Sequence, residues 1–385
     1  MGKHLLWLTE TYPPQRGGMA QSCDRLVDGL RQRGHRVDVV HFTAQRKRPE
    51  PVQQINGRYL PITFEESEAH TLNKAWPLVE RLLGAPDALV AFGGNLPVWA
   101  GPAYAAWLGV PLITCLRGND FDAGLFTPRK RDMLEAALRS SHTVCAVSQD
   151  KAWNVSRLYP EVNARFVPNG IVLDSWQPTP GEQAFSAKWR AENLDGRLCL
   201  GVFGQLKAKK GLAFLLDALQ QHALGDKIHL LLVGDLAPEL AERLADSTLA
   251  YTHLQFLDRF ELLKYYGCCD GICIPSYYDG MPNVLLEAGA LGIPVVASSV
   301  DGMRDVLEPV LPGLLFPVSD PHACRKVLHD WVSAGADERL AWGQLLKTHV
   351  QEHYTHTKEL DHYEAIFETL AGDAAAGIAR SMRQQ

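Results

Sequence analysis

The segment "PSYYDGMPNVLLEAGALGIPVVAS", residues 275–298, carries two carboxylates in contrasting settings. Asp279 shares a turn with Gly280, whereas Glu287 falls within an otherwise apolar helical run. A buried carboxylate is costly unless something pairs with it, so the segment reads as a holder of a polar ligand. Pro282 suits the first position of the helix, where its missing N–H is no loss. The amides of Asn283, Val284 and Leu285 are then available to a phosphate, which the helix dipole also favours. Glu287, about one turn further on, can take a diol with both oxygens, and Asp279 can take another pair of hydroxyls. A phosphate flanked by two hydroxylated rings describes a nucleotide-sugar.

Two further loops have the composition to meet an anion. In "GVFGQLKAKKGLAFLLDAL" (201–219), Lys207, Lys209 and Lys210 lie near a helix start. The macrodipole disfavours cations there, so the conflict points to a bound anion; three solvated lysines are the plainer alternative. In "ETYPPQRGGMAQS" (10–22), Gly17 and Gly18 allow the backbone to approach a ligand closely, or simply make a strand-to-helix turn. Neither loop is G-x-G-x-x-G or a Walker motif, which disfavours NAD binding and ATP or GTP hydrolysis. His353, His356 and His362 place at most two imidazoles on one helix face with no acidic or Cys partner, so no metal is expected. The eight cysteines form no C-x-x-C pair and read as small buried hydrophobes.

The elements that must hold these loops follow from alternation. The chain has 385 residues, of which 46% are hydrophobic and 21% charged, so it is globular and long enough for two domains. A net charge of −6 argues against general nucleic-acid binding. No apolar run is long enough to span a bilayer, and the opening residues read as a strand rather than a signal peptide. Cytoplasm is the expected location. Strands are expected at 5–10, 37–42, 88–94, 111–116 and 143–148, with helices among them at 20–33, 96–108 and 128–139. Residues 171–196 have the turn-rich texture of an interdomain connection. The alternation then restarts, with strands at 198–206, 228–236, 254–258, 271–276 and 294–299 and helices from 211, 238 and 282. This predicts an α/β chain of two doubly wound Rossmann-like domains facing across a cleft, at residues 1–170 and 197–357, with ligand at the carboxyl ends of the strands. Residues 372–385 read as a flexible tail.

With "RGGMA", "VPNGIVLDSW" and "GQLKAKKG" in order before the 275–298 segment, nearly the whole chain resembles the retaining GT-B glycosyltransferases of family 4, the glycosyl transferases group 1. The resemblance implies that Glu287 holds the ribose hydroxyls. Asp279 with the backbone of Gly280, Met281, Pro282, Asn283, Val284 and Leu285 would hold the transferred sugar, and Lys210 would neutralise the diphosphate. The base would lie near Gly234, Asp235, Phe256 and Leu257, and the Gly17–Gly18 loop would close over the donor. A helix at about 358–371 would pack back on the first domain. Three positions depart from the family pattern: Asp279 replaces a Glu, Gln205 stands where Arg is common, and Arg117 where many members have His. Arg117 is therefore expected to supply the charge that Gln205 lacks, or else to pair with Asp120 or Asp122 in its own loop.

The implied activity is transfer of a sugar from a nucleotide-sugar to an acceptor hydroxyl with retention, without a metal or cofactor. The acceptor would be a glycan, a lipid-linked sugar or a small molecule. Basic stretches at 31–36, 45–50 and 128–131 could meet anionic lipids at the inner face of a membrane; solvated helix ends explain them equally well. A nucleotide-sugar epimerase of the same fold, or a non-catalytic sugar-nucleotide-binding protein, are the alternatives.

Overall fold

The computed structural model describes residues 2–220 and 224–381, of which Asn119 and 371–381 by backbone alone. It divides into two compact units, residues 1–169 with 356–385, and residues 170–355.

The first unit is built on β1 (His4–Thr9), β2 (Arg36–Thr43), β3 (Val52–Gln54), β4 (Gly57–Thr63), β5 (Ala88–Phe92), β6 (Leu112–Leu116), β7 (Ser141–Ala146) and β8 (Ala164–Phe166). They form one sheet in the order β3-β4-β2-β1-β5-β6-β7-β8, parallel except for β3. Between the strands run α1 (Gly18–Gln32), α2 (Glu68–Leu83), α3 (Leu96–Leu108), α4 (Asn119–Leu125), α5 (Pro128–Ser140) and α6 (Gln149–Leu158). Residues of α1 bury Leu26, Val27 and Leu30 against one face of the sheet, and α2 and α3 bury Val79, Leu83 and Tyr104 against the other. That double cover explains why β1 and β5 are apolar at nearly every position.

The second unit opens with α7 (Pro180–Asn193) and continues through β9 (Leu198–Phe203), α8 (Leu212–Gln220), β10 (Ile228–Val233), α9 (Pro238–Ala245), β11 (Ala250–Leu254) and α10 (Arg259–Tyr266). It closes with β12 (Gly271–Ile274), α11 (Asn283–Leu291), β13 (Val295–Ser298), α12 (Asp301–Leu307), β14 (Leu315–Phe316), α13 (Pro321–Ser333) and α14 (Ala336–His353). The six strands are ordered β11-β10-β9-β12-β13-β14 and pair in parallel. The last helix, α15 (His356–Ser381), belongs to the first unit. There it buries Leu360, Tyr363, Ile366 and Phe367 in the same cluster as α1, and Glu359 takes a bidentate ion pair from Arg25.

Several expectations need correction. Residues 171–196 belong to the second unit, where α7 starts on a Thr179–Glu182 capping box and Arg190 pairs with Asp270. The strand placed at 254–258 lies at 250–254, an edge strand whose half-exposed residues give weak alternation. β4 escapes a periodicity reading because Pro61 interrupts it; β3 pairs only with Gly57–Tyr59, so the proline breaks no ladder on that side. The helix placed at Pro282 begins at Asn283, with Pro282 at the N-cap. Residues 372–381 continue α15, and 382–385 lie outside the described residues. Among the described residues no helix is long and apolar enough to cross a membrane.

Candidate active site

In a doubly wound sheet the crevice for a ligand opens where neighbouring strands send their chains in opposite directions. In the second unit that point lies between β9 and β12. The loops that follow these strands, 204–211 and 275–282, are the two that carry Gln205, Lys210 and Asp279.

These loops are stitched together. Tyr277 N–H donates to the Lys209 carbonyl at 2.9 Å, and the Lys209 ammonium lies 5.4 Å from the centre of the Tyr278 ring. Gly211 has φ 69°, and a Cβ there would stand 1.9 Å from the Pro275 carbonyl oxygen, so both conformation and space demand glycine. Lys210 makes an ion pair with Asp279, whose other oxygen accepts from Gly280 N–H at 3.0 Å. Burial alone would raise the Asp279 pKa; the charges of Lys210 and Lys209 and these hydrogen bonds outweigh it and hold the carboxyl below its usual range.

Glu287 lies on the inner face of α11, only 7% exposed. One partner of this buried carboxylate is Tyr266, at the end of α10, whose hydroxyl donates to it at 2.6 Å. Burial first, and then Glu287 itself, push the phenol well above its ordinary pKa, so it remains a donor. Tyr266 is in turn fixed edge-on against Phe203 and Trp176, at 4.7 and 5.6 Å between ring centres. Nothing in the sequence pattern marked Tyr266, because its pairing with Glu287 spans two elements.

Of the three amides expected at the start of α11, that of Leu285 donates to the Pro282 carbonyl at 3.1 Å. Met281 is buried beside them, and Gly302 N–H holds the Gly280 carbonyl at 2.9 Å. One strand away, Gly234 follows β10; a Cβ on it would strike the Gly204 carbonyl oxygen at 1.8 Å. Gln205 and Asp235 are exposed, and Phe256 and Leu257 are half-buried just beyond β11.

In the first unit the corresponding switch point lies between β1 and β5. Gly17, at φ 118°, caps α1 without a side chain, and Gly18 begins the helix. Glu10, which sequence reasoning passed over, bridges the two loops: it accepts from Leu96 N–H at 2.6 Å, at the start of α3. Arg117 directly follows β6, with 8% exposure. Its guanidinium bonds the Asn169 side-chain oxygen and lies 4.7 Å from the centre of the Phe92 ring. Of the loop acids, Asp120 accepts from the backbone amides of Arg117 and Gly118 at 2.7 Å each, and Asp122 pairs with Lys151. A Cβ on Gly93 would meet Arg117 Cγ at 3.1 Å and Met19 Sδ at 3.3 Å, so the arginine stem runs beside the glycine loop.

The candidate residues thus form one cluster in each unit. Arg117, Gly17 and Gly18 stand in the first, and the remainder in the second. Among the described residues no group of three or more His, Cys, Asp and Glu could hold a metal ion.

Comparison with known proteins matches residues 16–175 to the Glycosyltransferase Family 4 model and 197–333 to Glycosyl transferases group 1. D-inositol 3-phosphate glycosyltransferase of Thermobifida fusca is 31% identical over 360 residues, covering 82% of this chain and 81% of the relative. Sucrose-phosphate synthase from Thermosynechococcus elongatus superposes with a TM-score of 0.83 at 18% identity, over 96% of this chain and all of that one. Anabaena HepE, solved in complex with UDP-glucose, superposes at 0.76 with 16% identity, over 95% of this chain and all of that one. Two parallel α/β sheets, a GT-B fold and relatives matched along most of the length lead to one conclusion: the chain belongs to the family 4 glycosyltransferases, the glycosyl transferases group 1, and is a glycosyltransferase.

Proposed function

We propose that this enzyme moves a sugar from a nucleotide-sugar donor to an acceptor hydroxyl with retention of anomeric configuration, in assembly of a glycan, polysaccharide or glycolipid. The carrying observation is the switch point between β9 and β12. It is bordered by the Lys210–Asp279 pair and the amino end of α11, with Glu287 held by Tyr266 one turn inside that helix. The UDP-glucose complex of HepE, a neighbour in fold, supports a donor of this class.

On this reading the donor diphosphate, carrying more charge than one carboxylate, draws the Lys210 ammonium away from Asp279. Asp279 then accepts hydrogen bonds from the transferred sugar together with the backbone after Gly280. The Asn283 and Val284 amides face the phosphate, Glu287 grips the ribose diol, and the base rests against Gly234, Asp235, Phe256 and Leu257. As the anomeric C–O bond breaks, charge accumulates on the departing diphosphate. Lys210, the helix amides and the Gln205 amide bind it more strongly than the ground state, which is the source of the acceleration. Arg117 is the second cation, and Gly17 and Gly18 permit close backbone approach on the acceptor side. The charge on the leaving group is met by side chains and amides, with no metal required.

The test is ligand-induced thermal shift with UDP-, GDP-, ADP- and TDP-sugars in parallel. A donor at a hundred times its Kd stabilises by about 2.7 kcal/mol. Glu287→Ala should abolish that shift while the apo protein stays folded, and unchanged donor affinity in this variant overturns the assignment. Product anomer determined by NMR checks retention, and activity should survive EDTA; a loss restored only by Mg²⁺ or Mn²⁺ contradicts the metal-free reading. The epimerase alternative is not favoured, since both matched families are transferases; an epimerase would convert donor with no acceptor present.

A further inference from the structure

The second unit holds a cavity of about 360 Å³ at the amino ends of its strands, the opposite edge of the sheet from the loops that carry Lys210 and Asp279. That volume falls in the roughly 300–1,000 Å³ range of small-molecule sites. Arg197 and Lys227 line it; they immediately precede Leu198 and Ile228, which are paired in register on β9 and β10. Arg339, from the first turn of α14, adds a third cation. Two carboxylates, Asp195 and Asp226, complete the charged lining.

The protein itself satisfies these cations only in part. Arg197 pairs with Asp195 at 3.6 Å, but that carboxylate is 91% exposed, and a pair in such a setting contributes little. Arg197 Nε is buried without a hydrogen-bond partner. Its charge reaches β10, where burial first and then Arg197 hold the His229 imidazole below its ordinary pKa. The Lys227 ammonium has no carboxylate or hydrogen-bond partner among the described residues. Arg339 Nη1 donates to the carbonyls of Trp331, at 3.5 Å, and Ala334, which fixes the side chain on the end of α13. Holding three cations around one recess is unfavourable in the empty protein and becomes favourable when an anion enters. The backbone beneath them is pinned as well: Arg197 N–H donates to the Leu194 carbonyl at 2.8 Å and Lys227 N–H to that of Leu224 at 3.1 Å, so little freedom is lost on binding.

The mixed lining selects the ligand. A guanidinium fork and an ammonium suit a phosphoryl group. Ionised carboxylates only accept hydrogen bonds, so Asp195 and Asp226 disfavour a polyanion and favour a ligand whose other groups are hydroxyls. The six residues of β9, at about 3.3 Å each, put the cavity roughly 20 Å from Gly204 and the donor loops. We infer that this cavity binds a phosphorylated polyhydroxyl compound, a sugar or polyol monophosphate, as a second ligand held independently of the donor. The inference goes beyond the glycosyl-transfer reading and does not rest on it.

The experiment is calorimetric titration at constant ionic strength with glucose 6-phosphate, inorganic phosphate and free glucose. It compares the wild type with Arg197→Gln/Lys227→Gln, Asp226→Ala and Lys210→Ala. The wild type should bind glucose 6-phosphate more tightly than inorganic phosphate, and free glucose about tenfold more weakly or worse. Arg197→Gln/Lys227→Gln should raise Kd for both phosphates by about tenfold or more, as expected for loss of charge-assisted hydrogen bonds. Asp226→Ala should remove the advantage of the sugar phosphate over inorganic phosphate. Lys210→Ala alters the donor loops alone and should bind both as the wild type does. An unchanged Kd in Arg197→Gln/Lys227→Gln overturns the inference, as does a wild type that binds neither phosphate. Loss of binding in Lys210→Ala overturns it by moving the phosphate to the donor loops. A wild type that binds inorganic phosphate as tightly as the sugar phosphate, or free glucose as tightly as either, overturns the assigned ligand class.

Discussion

Tyr266→Phe removes one oxygen atom from a fully buried site and leaves the ring packing against Phe203 and Trp176 in place. The lost hydroxyl is the 2.6 Å donor to Glu287. A hydrogen bond to a charged group contributes about 1.5–3 kcal/mol, and its loss here leaves a buried carboxylate short of a donor. The variant should therefore be less stable by about that amount. For a unit the size of residues 170–355, roughly 2–4 °C is lost per kcal/mol, so Tm should fall by about 3–12 °C. A second effect follows for the ligand. Without its anchor, the Glu287 side chain samples more rotamers, and donor Kd should rise by about three- to tenfold. The assay is thermal and urea unfolding of Tyr266→Phe, Glu287→Ala and the double variant, each with and without donor. Residues in direct contact should show a coupling of about 1.5–3 kcal/mol in the apo proteins. If the two substitutions add within about 0.5 kcal/mol, or if Tyr266→Phe binds donor like the wild type, the orienting role of Tyr266 is wrong.

Three further outcomes are expected. Asp38 is buried among His4, Arg58 and Arg36; burial raises its pKa, but their hydrogen bonds and charges prevail and bring it to about 2 from 3.8. Its stabilisation, about 2 kcal/mol, is complete above pH 4 and lost as pH falls towards 2, so Asp38→Asn should flatten the acid limb of a Tm–pH curve over that window. Gly211→Ala should cost more than about 3 kcal/mol in chemical denaturation, because the Cβ meets the Pro275 oxygen and φ is left-handed. Arg117→Ala should lower turnover at saturating donor by about tenfold or more, with Gln205→Arg restoring part of it; full activity in a folded Arg117→Ala would move the role to Lys207 or Lys209.

The prediction about Tyr266 also separates what is local in this chain from what is not. The βα alternation, the loops at 10–22, 201–219 and 275–298, and the helix after Asp279 are each written within about thirty residues. Their hydrophobic period and turn residues act on neighbours along the chain, so the two-sheet α/β fold and the positions of Gly17, Lys210, Asp279 and Glu287 were determined by the sequence alone. The edge strands β3 and β11 were obscured or misplaced because they bury few residues, and β4 because it contains Pro61. What remained depended on meetings between distant segments. Tyr266 reaches Glu287 from another helix, Asn169 takes the Arg117 guanidinium across 52 residues, and Lys210 finds Asp279 across 69. The same holds for Arg25 with Glu359, which lie 334 residues apart and face each other only because α15 packs on α1. Such pairs carry no periodic signature. Each is decided by which buried charge the folded chain places beside which donor, and burial makes that pairing obligatory only after the elements have packed.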